Sequence, residues 1–198
     1  VLSISSNRLS EISLIVPALP EQQKIAAFLT SVDERIRQLT RKKELLEKYK
    51  KGVMQKIFSR KIRFKDDNGK EFPAWRKNQF EQVVTLKNDK FIPEQENNSI
   101  RCIELEHISQ NNGKLLGHVD GIESGSIKNK FEKGDVLFGK LRPYLRKYYK
   151  ASFSGVCSSE FWVFKCTNIL NDFLYYYIQT DGFIEIASIS AGSKMPRA

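Results

Sequence analysis

The 198 residues carry 33 Lys and Arg against 23 Asp and Glu, a formal net charge of +10, and 40% of them are hydrophobic. That composition supplies a core for one ordinary domain plus an extended element, and it excludes a disordered tail. The charge favours a polyanionic partner without choosing between nucleic acid and an anionic membrane; no apolar run approaches the roughly 20 residues that span a bilayer, and the N-terminus lacks a secretory pattern, so a cytoplasmic protein is expected.

Residues 1–20 end in Ile15-Val16-Pro17-Ala18-Leu19-Pro20, where two prolines disfavour a regular helix or a central strand and predict an extended connector. Residues 21–58 contain no proline. Their apolar positions Ile25, Leu29, Val32, Ile36, Leu39, Leu46, Val53 and Ile57 fall on alternating steps of four and three once Lys43 and Lys50 are counted, which is the seam of a coiled coil. At 1.5 Å per residue such a helix is about 57 Å long, more than a small domain needs, so a projecting helix that meets another helix is expected. The plainer alternative is a helix packed along its own domain. Lys43 and Lys50 on the seam predict a limited or register-setting contact, because a buried ammonium needs a partner or a route to water.

The charged run Lys65-Asp66-Asp67-Asn68-Gly69-Lys70 predicts a turn, and a second domain starts near Phe72. Residues 80–86, 100–108, 135–141 and 155–165 read as short strands, and 171–187 as one helix with Phe173, Leu174, Tyr177, Ile178 and Ile184 on a shared face. The fold class expected is α+β, a mixed, mostly β domain with a long projecting coiled-coil helix. The expected divisions are 1–20, 21–60 for the helix and 61–198 for the β-rich domain.

Few residues offer catalysis. His107 and His118 stand alone, outside any His-Glu-x-x-His spacing, and a structural or surface role is expected for both. Cys102, Cys157 and Cys166 are odd in number and well separated, which predicts reduced structural thiols. No phosphate-cradling loop and no dinucleotide fingerprint occurs, so no cofactor is expected in this chain. The concentration that stands out is residues 128–150, with eight Lys or Arg against Glu132 and Asp135, interleaved with Phe131, Phe138, Tyr144, Tyr148 and Tyr149. Cations neutralise phosphates and Arg reads guanine edges, so this stretch is a candidate grip on DNA; its alternative is a solvated basic surface with core aromatics.

The run Leu19-Pro20-Glu21-Gln22-Gln23-Lys24-Ile25-Ala26, opening a helix that reaches Lys50-Lys51-Gly52-Val53-Met54-Gln55-Lys56-Ile57-Phe58, resembles the central conserved region of type I restriction-modification specificity subunits. Phe72-Pro73-Ala74-Trp75 resembles the start of their second target-recognition domain. Gly134-Asp135-Val136-Leu137-Phe138-Gly139-Lys140-Leu141-Arg142-Pro143-Tyr144, Ser158-Ser159-Glu160-Phe161 and Gly192-Ser193-Lys194-Met195-Pro196-Arg197 resemble patterns inside those domains. The resemblance implies a non-catalytic scaffold in which each recognition domain reads half of a split DNA target and paired helices set the spacer. It implies methyltransferase subunits that bind S-adenosylmethionine, and an endonuclease/translocase subunit that uses ATP and Mg, as partners.

Residues 7–20 resemble the last segment of a preceding recognition domain, so the chain is expected to be a fragment or a half-length subunit. That segment is then expected to pack on a recognition domain, its own or a second copy's, and the helices to pair as a homodimer. The DNA contacts expected are Lys128, Lys130, Lys140, Arg142, Tyr144, Arg146, Lys147, Ser193 and Lys194, with Lys87 and Lys90 adding phosphate contacts. Arg142, beside Pro143, is equally a candidate for bonding a loop carbonyl. The competing class is a coiled-coil assembly protein whose basic domain binds protein or RNA without reading sequence.

Overall fold

The stretch with the four-three apolar period forms one helix, and the shorter apolar segments after it form two sheets, giving an α+β fold. The computed structural model describes residues 4–95, 99–122 and 125–189. Contacts divide the chain into two units, Val1–Val53 and Met54–Ala198.

In the first unit, α1 (Ser6–Ser10) is a single turn whose start is capped by Ser5, its hydroxyl accepting the Arg8 N–H. The chain then runs without regular structure to α2 (Leu19–Phe58), a 40-residue helix. Its start lies two residues before the expected boundary at 21. Pro20 sits in the first turn, where a missing N–H leaves no intrahelical bond unmade and the fixed φ suits the helix. None of its residues is buried: Leu29, Ile36 and Leu46 are each more than half exposed. Charged side chains pair along the solvated surface instead. Arg37 makes two 2.8 Å hydrogen bonds to Glu34, and the seam residue Lys43 lies 3.9 Å from Glu47.

The second unit begins with the last turn of α2. Phe58, the final residue of that helix, meets Trp75, Phe173 and Tyr177 edge-on at centroid distances of 6.5, 5.4 and 5.6 Å. The charged connector is the expected turn: Asp66 accepts the N–H groups of Asn68 and Lys70, and Gly69 takes a positive φ of 76°. Arg63 then fixes the approach to Trp75 by donating to the carbonyls of Phe72 and Pro73.

Nine strands follow among the described residues. β1 (Val84–Leu86), β9 (Phe161–Cys166), β6 (Val136–Gly139) and β7 (Tyr148–Lys150) form an antiparallel sheet in that order. β2 (Lys90–Phe91), β5 (Lys128–Phe131), β8 (Gly155–Cys157), β3 (Arg101–Ile103) and β4 (Val119–Asp120) form the other, with β3 and β8 parallel. The period of two sorts the first sheet's side chains between two clusters. Leu137, Tyr149, Phe161 and Val163 pack with Ile103, Phe131 and Cys157 of the second sheet, while Val136, Phe138, Tyr148 and Phe164 pack with Leu174, Ile178 and Ile184. Helices, sheet and sheet thus form three layers, and β6 is buried on both faces, which is why its sequence is a continuous apolar run.

Three expectations are corrected. Residues 80–86 split into α3 (Phe80–Val83) and β1. Residues 155–165 contain two strands that belong to different sheets, β8 and β9. The helix expected over 171–187 is two, α4 (Asn171–Tyr177) and α5 (Asp181–Ala187). Thr180 interrupts it: its hydroxyl donates to the Tyr177 carbonyl and accepts the Phe183 N–H, ending one helix and capping the next.

Candidate nucleic-acid interface

After β6 the chain must turn back to β7, and the turn it makes is strained. Gly139 lies so close to the return path that a Cβ there would stand 2.9 Å from Leu105 and 3.3 Å from the Lys147 carbonyl oxygen. Beyond it, Arg142 and Arg146 both adopt left-handed backbone conformations, with φ of 52° and 51°, at the two ends of the 3-10 turn Pro143–Leu145. Each such non-glycine residue costs about 1–3 kcal/mol, so the surroundings must impose the shape.

They do so through three anchors. The Arg146 guanidinium donates to the Gln179 carbonyl at 3.2 Å and to Asp181 at 2.5 Å. The Lys147 ammonium donates to the Leu105 carbonyl at 2.6 Å. Lys140 donates its N–H to the Glu160 carbonyl at 2.8 Å. The turn therefore presents Arg142 and Tyr144 outward, both exposed, on a backbone fixed from behind.

A second turn lies against the first. Asn111 donates its N–H to the Arg146 carbonyl at 3.2 Å, and the Asn111 carbonyl accepts the Tyr148 hydroxyl at 2.7 Å. Asn111 and Gly113 both have positive φ, and Gly113 is required: a Cβ would stand 2.6 Å from the Tyr175 hydroxyl. Gln110, Asn111, Asn112 and Lys114 are exposed on this turn. Guanidinium and carboxamide groups are the side chains that bond guanine and adenine edges in pairs, and lysines beside them suit phosphates. None of these four was singled out from the sequence. The signal available was Gln110-Asn111-Asn112-Gly113 followed by Lys114, a turn composition that also carries three carboxamides.

Of the residues expected to contact DNA, Lys140, Arg142 and Tyr144 share the first turn. Arg142 makes no side-chain bond to a loop carbonyl among the described residues. Lys130 is exposed on β5, its ammonium 5.9 Å above the Phe91 ring.

Others of the expected DNA contacts bond within the fold. Lys128 is 5% exposed and its ammonium meets Glu104 at 2.5 Å. Lys87 lies between Glu132 and Asp135, 2.8 Å from each; burial alone would lower its pKa, but the hydrogen bonds to Asp135 and Glu132 outweigh it and the net direction is upward. Arg146 and Lys147 are the anchors described above. Lys90 is exposed while donating to Asn129 at 2.6 Å. Ser193 and Lys194, with the segment 192–197, lie outside the described residues.

His107 accepts the Glu104 N–H through Nδ1 at 3.0 Å, closing the turn before β4, and His118 packs against Phe153. Both have the structural or surface role expected. Among the described residues no three His, Cys, Asp or Glu side chains gather as a metal site, and no helix is long and apolar enough to cross a membrane.

The β-rich unit bearing paired polar turns, and a long helix with an open apolar seam, can be set beside known proteins. The family described as type I restriction modification DNA specificity domain matches residues 2–48. The type I restriction enzyme EcoDI specificity subunit of Escherichia coli is 25% identical over 93% of this chain and 48% of its own length. The chain is similar to type I restriction specificity subunits. A second such subunit, MjaVIII of Methanocaldococcus jannaschii, is 24% identical over the same shares of both chains.

Among solved structures, the specificity subunit HsdS of Thermoanaerobacter tengcongensis superposes with a TM-score of 0.52 and 21% identity, covering 65% of this chain and 35% of that one. A chain from a study of assembly and conformational transition in the type I restriction-modification system gives 0.51 and 20%, covering 59% and 33%. The fold is shared with those two chains, and the resemblance read from the sequence is borne out. This chain spans about half the length of the curated specificity subunits it matches.

Proposed function

We propose that this chain is the DNA-reading part of a type I restriction-modification specificity subunit, a non-catalytic component that directs methylation and restriction to a bipartite target. The observation that carries this reading is the pair of joined turns: Arg142 and Tyr144 on one, Gln110, Asn111 and Asn112 on the other, with backbones fixed by bonds from outside the turns. Prearranged donors and acceptors on a rigid β scaffold are what discrimination between base pairs requires, because groups that must first be ordered lose affinity to that ordering.

The open seam of α2 supplies the second element of the reading. A helix whose apolar positions at 25, 29, 32, 36, 39 and 46 lie in water is completed by a partner helix, from the rest of a longer subunit or from a second copy. Residues 1–20, among which Ile12, Leu14, Ile15 and Val16 are all exposed, would then complete a recognition domain. Modification subunits carrying S-adenosylmethionine and a restriction subunit using ATP and Mg would dock on this scaffold, in the cytoplasm where the DNA lies.

The test is selection of bound duplexes from a random pool at a fixed salt concentration, with and without a cognate modification subunit. Enrichment of a short half-site, or of two half-sites at a fixed spacing, is expected. Salt-sensitive binding with no enriched sequence in either condition would leave a basic scaffold that binds without reading.

A further inference from the structure

The last turn of α2 is bonded to the arginine turn through one carboxylate. Gln55 donates its side-chain amide to one oxygen of Asp181 at 2.8 Å, and Arg146 donates to the other at 2.5 Å. Arg146 is the left-handed residue that closes the turn presenting Arg142 and Tyr144, and its carbonyl accepts the Asn111 N–H of the amide turn. Asp181 is held in place at the first position of α5, where Thr180 caps the helix and the N-terminal end favours a carboxylate. The path from helix end to both turns thus runs through directed bonds, Gln55 to Asp181, Asp181 to Arg146 and Arg146 to Asn111.

We infer that Asp181 is a positioning residue for DNA reading, one that makes the shape of the two turns depend on how the end of α2 is seated. The inference rests on the DNA-reading function proposed above. Its physical basis is strain. Two left-handed arginines in one turn persist only while bonds outside the turn outweigh their cost, and the Arg146–Asp181 ion pair, three-quarters sequestered on the arginine side, is the bond among the three anchors with charge on both partners. Without it the turn relaxes, Arg142 and Tyr144 sample other directions, and the cognate sequence loses its advantage. Affinity for phosphates does not depend on that direction, so non-cognate binding is left intact.

The experiment uses the full chain and the duplex enriched by selection, and reads the ratio of non-cognate to cognate Kd together with thermal stability. Asp181→Asn is expected to lower that ratio about tenfold, through cognate binding alone, as the loss of one charge-assisted bond implies. Gln55→Leu, at an exposed position that leaves the Arg146 pair in place, is expected to lower it about threefold, and the double variant to resemble Asp181→Asn because the two share one path. Glu185→Gln removes the same charge from the same helix and should leave the ratio unchanged.

A lower melting temperature with an unchanged ratio in Asp181→Asn would make the contact structural only and overturn the inference. If Asp181→Asn does not fold, an unchanged ratio in Gln55→Leu overturns it alone. A wild-type chain that enriches no duplex defeats the proposed function itself, an outcome distinct from selection that survives both substitutions.

Discussion

Replacing Lys128 by Met separates the buried cations from those available to DNA. The Lys128 side chain is 6% exposed, lies on the central face of β5, and sets its ammonium on Glu104, whose own side chain is 28% exposed. Met keeps the length of the stem and removes the charge, leaving Glu104 without its cation. Breaking a buried pair by removing one partner costs about 3–5 kcal/mol, and because water reaches Glu104 the cost falls below that range, to about 2–3 kcal/mol. For a domain of this size that is a fall in melting temperature of roughly 8 °C.

Urea or thermal unfolding measures this loss, and the salt dependence of DNA binding measures whether a phosphate contact went with it. Lys128→Met should leave the slope of log affinity against log salt unchanged. Adding Glu104→Leu should recover most of the stability, since an apolar pair of similar volume replaces both charges. A stable Lys128→Met protein whose salt slope drops by about 0.9, the amount one phosphate contact contributes, would refute the assignment of Lys128 to the fold.

Arg142→Ala should cost about 1–3 kcal/mol of discrimination at one base pair, whereas Lys140→Ala should weaken cognate and non-cognate duplexes alike and flatten the salt slope; competition binding against single-base variants distinguishes them. Gly155→Ala places a Cβ 2.6 Å from the Arg101 carbonyl oxygen in the adjoining strand, and a loss of about 3 kcal/mol on urea unfolding is expected. Burial pushes the Cys102 thiol up to about 12 from its usual value near 9, so thiol reagents at pH 8 should reach it only after unfolding. The folded chain disfavours its thiolate. Its contribution to stability is therefore intact below pH 9 and eroded between pH 9 and 12, and Cys102→Ala should lessen the alkaline fall in urea midpoint.

The long helix was legible because a repeat of four and three over ten seam positions, 25 to 57, needs nothing outside itself to be seen. Its start was misplaced by two residues since Pro20 reads as a breaker anywhere but in a first turn, where it is tolerated. The break at Thr180 was hidden for a related reason: the apolar face continues through it, and only the hydroxyl's two backbone bonds show where one helix ends. The basic stretch shows where local reading stops. Lys128, Arg146 and Lys150 looked alike in sequence, yet each meets an acid 22 to 35 residues away, Glu104, Asp181 and Asp172. Arg142 and Tyr144 were legible as a motif, but the amide turn beside them was not, because its role comes from the Asn111–Arg146 bond between segments 35 residues apart.

The left-handed backbone at Arg142 also limits how such a protein could be retargeted. A library that varies residues 110, 112 and 144 can draw on nearly any side chain, since their backbones make no unusual demand. At 142, β-branched residues and proline would unmake the turn before meeting any base, leaving Arg, Lys, Asn, Gly and similar residues as the usable alphabet. Under the proposed DNA-reading function, the set of sequences reachable by exchanging this one side chain is then fixed by backbone sterics as much as by the chemistry of DNA.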